Sequence, residues 1–202
     1  NIYDPNTNTF SAGPALSAAA AVGSMALPNT DGSVTIVHGG AATTSTVYDP
    51  IRNTMTTGPT LTTAADCGSW AVPLANAKYK VFVGRASGAA AATTTMNYNA
   101  TTKTFVAGTA MTTAHGCGSF VFQRPDGWWL SIIGTATGVA QTTTNLMNPI
   151  DGSTIAGPAL TNAAGLGSHV IPRADGTFLI MSGSAPTTST LHIPHNDTFG
   201  VR

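Results

Sequence analysis

Glutamate is absent from this 202-residue chain, and charge of either sign is scarce. Lys and Arg together number 8, acidic residues number 8, and the formal net charge is zero. Charged residues make up 8% of the chain, against roughly 25% in ordinary soluble domains. So little positive charge excludes the electrostatic footprint of a nucleic-acid binder. No apolar run approaches the roughly 18 residues of a membrane-spanning helix, so no membrane span is expected. The usual residues of exposed helices are nearly missing, whereas Thr and Ala dominate. The branched Cβ of threonine packs well on a pleated surface. An all-β protein with a neutral, hydroxyl-rich surface follows, and such a surface resists self-association only weakly. The chain opens at Asn1 rather than Met, which reads as a processed or excised segment. An extracellular or cell-surface location is expected from the same composition.

Internal repetition is what the sequence has in place of charge. Val47-Tyr48-Asp49-Pro50 recurs as Ile2-Tyr3-Asp4-Pro5, Asn97-Tyr98-Asn99-Ala100, Met147-Asn148-Pro149 and His192-Ile193-Pro194. After the first four copies come Gly13-Pro14, Gly58-Pro59, Gly108-Thr109 and Gly157-Pro158, then Leu16, Leu61, Met111 and Leu160. A Gly-Ser pair closes each connection: Gly23-Ser24, Gly68-Ser69, Gly118-Ser119 and Gly167-Ser168. Each unit reads as four short strands. The first follows Gly-Ser, and an Asp-Gly turn leads to the second in Pro125-Asp126-Gly127 and Ala174-Asp175-Gly176, where glycine supplies the positive φ of a tight hairpin. The second strand is apolar (Val34 to Val37, Tyr79 to Val83, Trp128 to Ile133, Phe178 to Met181) and ends in glycine. The third carries Tyr48 and its equivalents, and the fourth carries Phe10, Met55, Phe105, Ile155 and Phe199.

Small sheets with two apolar faces must stack on one another, so the expected fold is a β-propeller of four-stranded antiparallel blades in an open or incomplete ring. The expected division is a half blade over 1–16, then blades at about 17–61, 62–111, 112–160 and 161–202. Four and a half blades leave exposed edges and an open apolar face, which natural sheets avoid. Either a longer natural polypeptide or another chain, a second copy or a different protein, is the expected cover.

The apolar strand ending in a double glycine (Val34 to Gly40), the Tyr-Asp-Pro turn, the outer-strand aromatics Phe10 and Phe105, and Gly-Pro-x-Leu resemble kelch repeats. They resemble the galactose-oxidase type of propeller blade in particular. Only one repeat keeps the double glycine, and the kelch outer-strand tryptophan is replaced by Phe, Met or Ile. The resemblance implies a ring and, in the enzymes, a mononuclear copper held by tyrosines and histidines, one tyrosine crosslinked to cysteine. None of those ligands maps onto a position here. Three of the four tyrosines, Tyr3, Tyr48 and Tyr98, hold the repeat's turn position, so they read as packing residues.

Candidate sites are few. Cys67 and Cys117 occupy equivalent positions in successive repeats, where Val22 and Leu166 stand in the others. They read either as small buried hydrophobes or as a disulfide, which requires Cα atoms within about 7 Å. Trp70, Trp128 and Trp129 are candidates for stacking on glycans, with core packing as the alternative. Adjacent Trp128 and Trp129 point to opposite faces of a strand, so one of the two is a candidate for exposure. Asn99-Ala100-Thr101 and Asn196-Asp197-Thr198 are N-glycosylation sequons. His192 and His195 read as a surface pair, and His38, His115 and His169 as packing or surface residues. No Gly-x-Ser-x-Gly elbow, zinc motif, phosphate loop or paired glutamates occur, and the four Gly-Ser pairs repeat too regularly for a nucleophile. On these grounds no catalytic residue, metal or cofactor is expected. The chain reads as a non-catalytic module for protein interaction or self-assembly, with a glycan-binding propeller or a segment of a galactose-oxidase-like copper enzyme as alternatives.

Overall fold

The computed structural model describes the backbone of residues 1–84, 92–134, 139–183, 189–193 and 198–201, with side chains described through residue 183 and at His192. Eighteen strands follow one another without a helix among the described residues. A two-stranded sheet, β1 (Ile2–Asp4) and β2 (Thr9–Ser11), is the half blade. The first full blade is β3 (Met25–Pro28), β4 (Val34–Val37), β5 (Ser45–Asp49) and β6 (Thr54–Thr57). The second is β7 (Trp70–Leu74), β8 (Lys78–Phe82), β9 (Thr95–Asn99) and β10 (Thr104–Ala107). The third is β11 (Phe120–Gln123), β12 (Trp129–Ile132), β13 (Thr144–Met147) and β14 (Thr154–Ala156). The fourth is β15 (His169–Pro172), β16 (Phe178–Met181), β17 (Ser189–Ile193) and β18 (Thr198–Val201). Every pairing within a blade is antiparallel and sequential. The register repeats from blade to blade: Val37 pairs with Ser45, Phe82 with Thr95, and Ile132 with Thr144. The all-β architecture of an open propeller is therefore present.

The apolar faces meet between consecutive blades. Leu27, Val37, Val81, Val83, Met96, Tyr98 and Phe105 form one cluster between the first and second blades. Val72, Phe82, Met111 and Met147 lie between the second and third, and Phe122, Leu130, Ile132, Phe178 and Ile180 between the third and fourth. Where the first interface becomes polar it stays saturated. The buried Tyr98 hydroxyl donates to Asn29 Oδ1 at 2.6 Å and meets Thr35 Oγ1 at 2.6 Å, which joins two blades through groups that burial would otherwise leave costly. The half blade supplies no such cover, and Phe10 on β2 is 73% exposed.

Each Gly-Ser pair has a structural cause. Ser69, Ser119 and Ser168 accept, through Oγ, the backbone N–H of Gly84, Gly134 and Gly183 at 2.9–3.0 Å. The hydroxyl thereby ties the crossover into a blade to the end of that blade's second strand. At this end the backbones touch. A Cβ on Gly84, Gly134 or Gly183 would lie 2.0, 2.2 or 1.9 Å from the carbonyl oxygen of Cys67, Cys117 or Leu166. The crossover is also bonded along the third strand's approach, through Leu61 N–H to Thr43 O, Met111 N–H to Thr93 O and Leu160 N–H to Thr142 O at 2.7–2.9 Å.

Gly127 stands in an Asp-Gly turn at φ 86° with nothing near its missing side chain, whereas Gly84 is hemmed in by backbone. Gly127→Ala is expected to cost about 1–2 kcal/mol for left-handed backbone alone. Gly84→Ala is expected to cost at least about 3 kcal/mol, because the colliding atoms cannot re-rotamer. Urea unfolding midpoints of the two variants check the ordering; equal losses would mean the backbone contact is not limiting.

Candidate functional site

Strand alternation places two sets of loops at opposite ends of every blade. The connections between second and third strands share one end with the crossovers to the next blade, as the bridges Ala42↔Ala65, Ala92↔His115 and Gln141↔Ala164 demonstrate. The hairpin turns occupy the other end. Charge divides along this axis in a way no single repeat reveals. Asp4, Asp31, Asp49, Arg52, Lys103, Arg124, Asp126, Asp151, Arg173 and Asp175 sit at the turn end, while Asp66 alone among the described charged residues sits at the crossover end. The rest of the described crossover end is mostly Gly, Ala, Ser and Thr, with Val22, Cys67, His115, Cys117, Gln141 and Leu166 among them.

At the crossover end the sulfurs of Cys67 and Cys117 are bonded, with Cα atoms 4.9 Å apart. The bond joins the entry loops of the second and third blades. The equivalent positions in the flanking blades, Val22 and Leu166, are 61% and 49% exposed. Between those same two blades lies His115, fully buried, its Nε2 on Ser131 Oγ and its ring beside Trp70 and Phe82. Burial drives its pKa down to about 3, because the interface offers the imidazolium little solvation. Lys80 is buried in the same interface; its Nζ donates to Gly152 O at 2.6 Å, and burial lowers its pKa while Asp151 opposes the shift. His38 is buried with Nδ1 2.9 Å from Thr44 Oγ1 and Nε2 2.7 Å from Thr46 Oγ1, and Thr46 is in turn bonded to Ser17. Lys80 and the partners of His38 went unmarked in the sequence, since only tertiary packing separates them from surface residues.

The turn end carries a hollow of about 500 Å³ lined by Asp31, Asp49, Arg52, Thr54 and Lys103. Its walls are two ion pairs, Lys103–Asp31 and Arg52–Asp49, both at 2.7 Å. Lys103 and the Ser33 groups hold the Asp31 carboxyl well below the usual carboxylate range. Each cation already has its carboxylate, so the hollow has no spare charge to offer an ionic ligand.

The structure repositions several residues singled out in the sequence. His192 is buried against Phe122 and Phe178, so the reading of a surface histidine pair is corrected; β17 turns this side chain into the third–fourth blade interface, and His195 lies outside the described residues. Trp70 stacks on Phe82 at 3.7 Å between ring centroids. Trp128 packs on the third–fourth cluster and Trp129 on the second–third cluster, so the two do face opposite ways, but each is half-buried in an interface rather than displayed. Asn99 is half-buried at the end of β9, and Asn196 lies outside the described residues.

No family model matches the chain, and no curated protein does either. Among solved structures, it is similar to a novel fungal alcohol oxidase of the AA5 family determined in complex with copper, with a TM-score of 0.62 and 15% identity. The match covers 89% of this chain and 43% of that one. The fold is shared. This finding overturns the expectation that the chain is not an enzyme: that expectation rested on a missing catalytic constellation, yet the same architecture in a longer chain belongs to an oxidase. The copper implied by the fold does not fit the residues on hand. Among the described residues no group of three or more His, Cys, Asp or Glu is placed to hold a metal. Both sulfurs are spent on each other, and the Tyr98 hydroxyl is committed to Asn29 and Thr35.

Two measurements check the second–third blade interface. Reducing the disulfide, which spans a sequence separation of 50, is expected to cost about 4 kcal/mol on chain-entropy grounds. A Cys67→Ala/Cys117→Ala variant whose urea midpoint equals that of the oxidised protein would contradict it. His115, with a folded-state pKa near 3 and an unfolded one near 6.5, binds protons preferentially when unfolded. Its contribution is therefore fully present above about pH 6.5 and is lost as pH falls toward 3. His115→Gln is expected to flatten that acid limb of a stability–pH profile; an unchanged slope would contradict the assignment.

Proposed function

We infer that this chain is the propeller portion of a galactose-oxidase-like enzyme that oxidises alcohols, and that it passes through a secretory pathway. The observation that carries the reading is the shared fold over 89% of the chain with a copper alcohol oxidase of about twice its length. Residues that bind copper would then lie in the remainder of a longer polypeptide, because the described residues here do not supply a ligand set. In this reading the chain's own contribution is scaffold and approach surface. Among the described residues of the crossover end Asp66 is the one charged group, which suits an uncharged alcohol, and blade-to-blade stapling by Ser69, Ser119 and the disulfide keeps its loops fixed. The disulfide supports an oxidising compartment. The exposed aromatic pair Tyr3 and Phe10 marks the face that further blades of the same polypeptide would cover, in keeping with the avoidance of open apolar edges.

The test uses the longest natural polypeptide that contains this sequence, loaded with copper and supplied with a panel of uncharged primary alcohols under dioxygen. Carbonyl product and consumed dioxygen are expected in equal amounts, while the 202-residue chain alone is expected to retain no stoichiometric copper after desalting. A copper-loaded full polypeptide that turns over none of the panel, or one that retains no copper, would overturn the reading.

A further inference from the structure

The turn after β9 departs from its counterparts in a way that the turn itself does not require. In the half blade and the first three full blades the residue that ends or directly follows the third strand accepts, through a side-chain oxygen, the backbone N–H two residues on. The pairs are Asp4–Asn6, Asp49–Ile51, Asn99–Thr101 and Asn148–Ile150, each at 2.9 Å. A carboxylate does this as well as a carboxamide, and the proline that follows in Asp4-Pro5, Asp49-Pro50 and Asn148-Pro149 fixes φ for the turn. Among these four only the second blade combines an amide, a non-proline next residue and a hydroxyl two positions on: Asn99, Ala100, Thr101. Asn99 Oδ1 is engaged by the N–H groups of both Thr101 and Thr102, which leaves Nδ2 as the end of the carboxamide turned away from the turn. Beside it lies a hollow of about 210 Å³ lined by Lys78, Asn97, Asn99, Thr104 and Val106. Val106 is exposed, so the hollow offers one apolar wall among polar groups, a seat for a hydroxyl-bearing ring with one apolar face.

We propose that Asn99 is a site of N-linked glycosylation and that the first sugar rests in the hollow beside Val106. In the transfer, Nδ2 forms a bond to C1 of a sugar carried on a lipid diphosphate. The C1–O bond breaks, the lipid diphosphate leaves with the electron pair, and Nδ2 gives up one proton. The reaction precedes packing of the turn. In the folded chain Ala100 N–H donates to Ala77 O at 2.9 Å, Ala100 O accepts from Thr30 N–H at 3.4 Å, and Ala100 is buried, so a transferase needs the segment before the first blade closes on it. Once folded, the glycan projects from the turn end and leaves the crossover end uncovered.

The experiment is secretion of the chain from a eukaryotic host, trypsin digestion, and removal of N-glycans enzymatically in heavy-oxygen water. The peptide Ala86–Lys103 holds one sequon, and Asn99 is expected to be recovered as isotope-labelled Asp. Thr101→Ala is expected to lose the label, as is Asn99→Asp, which keeps the turn's acceptor oxygen and so its fold. Should secretion fail, cell-free translation into microsomes behind a cleavable signal sequence reads the same peptide. Recovery of unmodified Asn99 from a translocated chain, or a label that persists in Thr101→Ala, would overturn the proposal.

Discussion

A four-stranded sheet of this size carries apolar side chains on both faces, and nothing inside one blade covers either. Burial must come from the neighbour, at roughly 25 cal/mol for each Å² removed from water. The three clusters between successive full blades follow from that demand. So does the difference between them and the boundary with the half blade, where the first blade turns inward His38 and Thr46 rather than a broad apolar patch and Phe10 stays exposed. Stability in such an array is a sum over adjacent interfaces, so any polar group placed in one must be satisfied there. The Tyr98–Asn29–Thr35 set does this across two blades.

Stacking sheets this closely brings backbones together at the crossover end, and that contact dictates the least variable letters of the repeat. The glycine that ends each second strand leaves room for a carbonyl oxygen, and in the second, third and fourth blades the opening serine bonds that glycine's N–H, whereas Ser24 of the first blade donates to His38 O. Gly68 and Gly118 bring these loops so near the next blade's backbone that an added Cβ would lie 2.0 Å from Gly116 O and 2.5 Å from Gly165 O, and residues 67 and 117 are then neighbours, with Cα atoms 4.9 Å apart. Two cysteines there can bond without moving the chain. The disulfide is thus a consequence of the packing as much as a support for it.

The repeat made the architecture readable from one sequence: the strand count per blade, the Asp-Gly turns with Gly127 and Gly176 at positive φ, and the Gly-Ser connections all have direct structural counterparts. Lys103, Asn53 and Asn8 hold positive φ just after the Asx turns, a need that the variable residue types at that position concealed. The hairpin between β7 and β8 turns through Asn76 and Ala77 at positive φ with no glycine to announce it. His192 shows the other limit. It stands between Leu191 and Ile193, so period-two alternation points to those apolar residues rather than to the histidine as the inward set, and nothing local signals that Phe122 and Phe178 enclose His192. Contacts between blades join residues about fifty positions apart, and local pattern does not encode which ones meet.

Chemistry on a propeller arises where one blade breaks the repeat, and the breaks in this chain go mostly to packing. Lys80 replaces the threonine or leucine of its equivalents and caps Gly152 O across an interface; Ser131 replaces Ile36 and Val81 and meets His115. These are paired polar insertions into apolar seams, each of which would cost more unpaired than it contributes paired. A sequence search for unusual residues therefore finds them and misreads their purpose. The same economy explains why a missing catalytic set could not exclude an oxidase. A blade that must pack on two sides has few positions to spare for reacting groups, whereas loops of the crossover end and segments beyond the propeller carry no such duty.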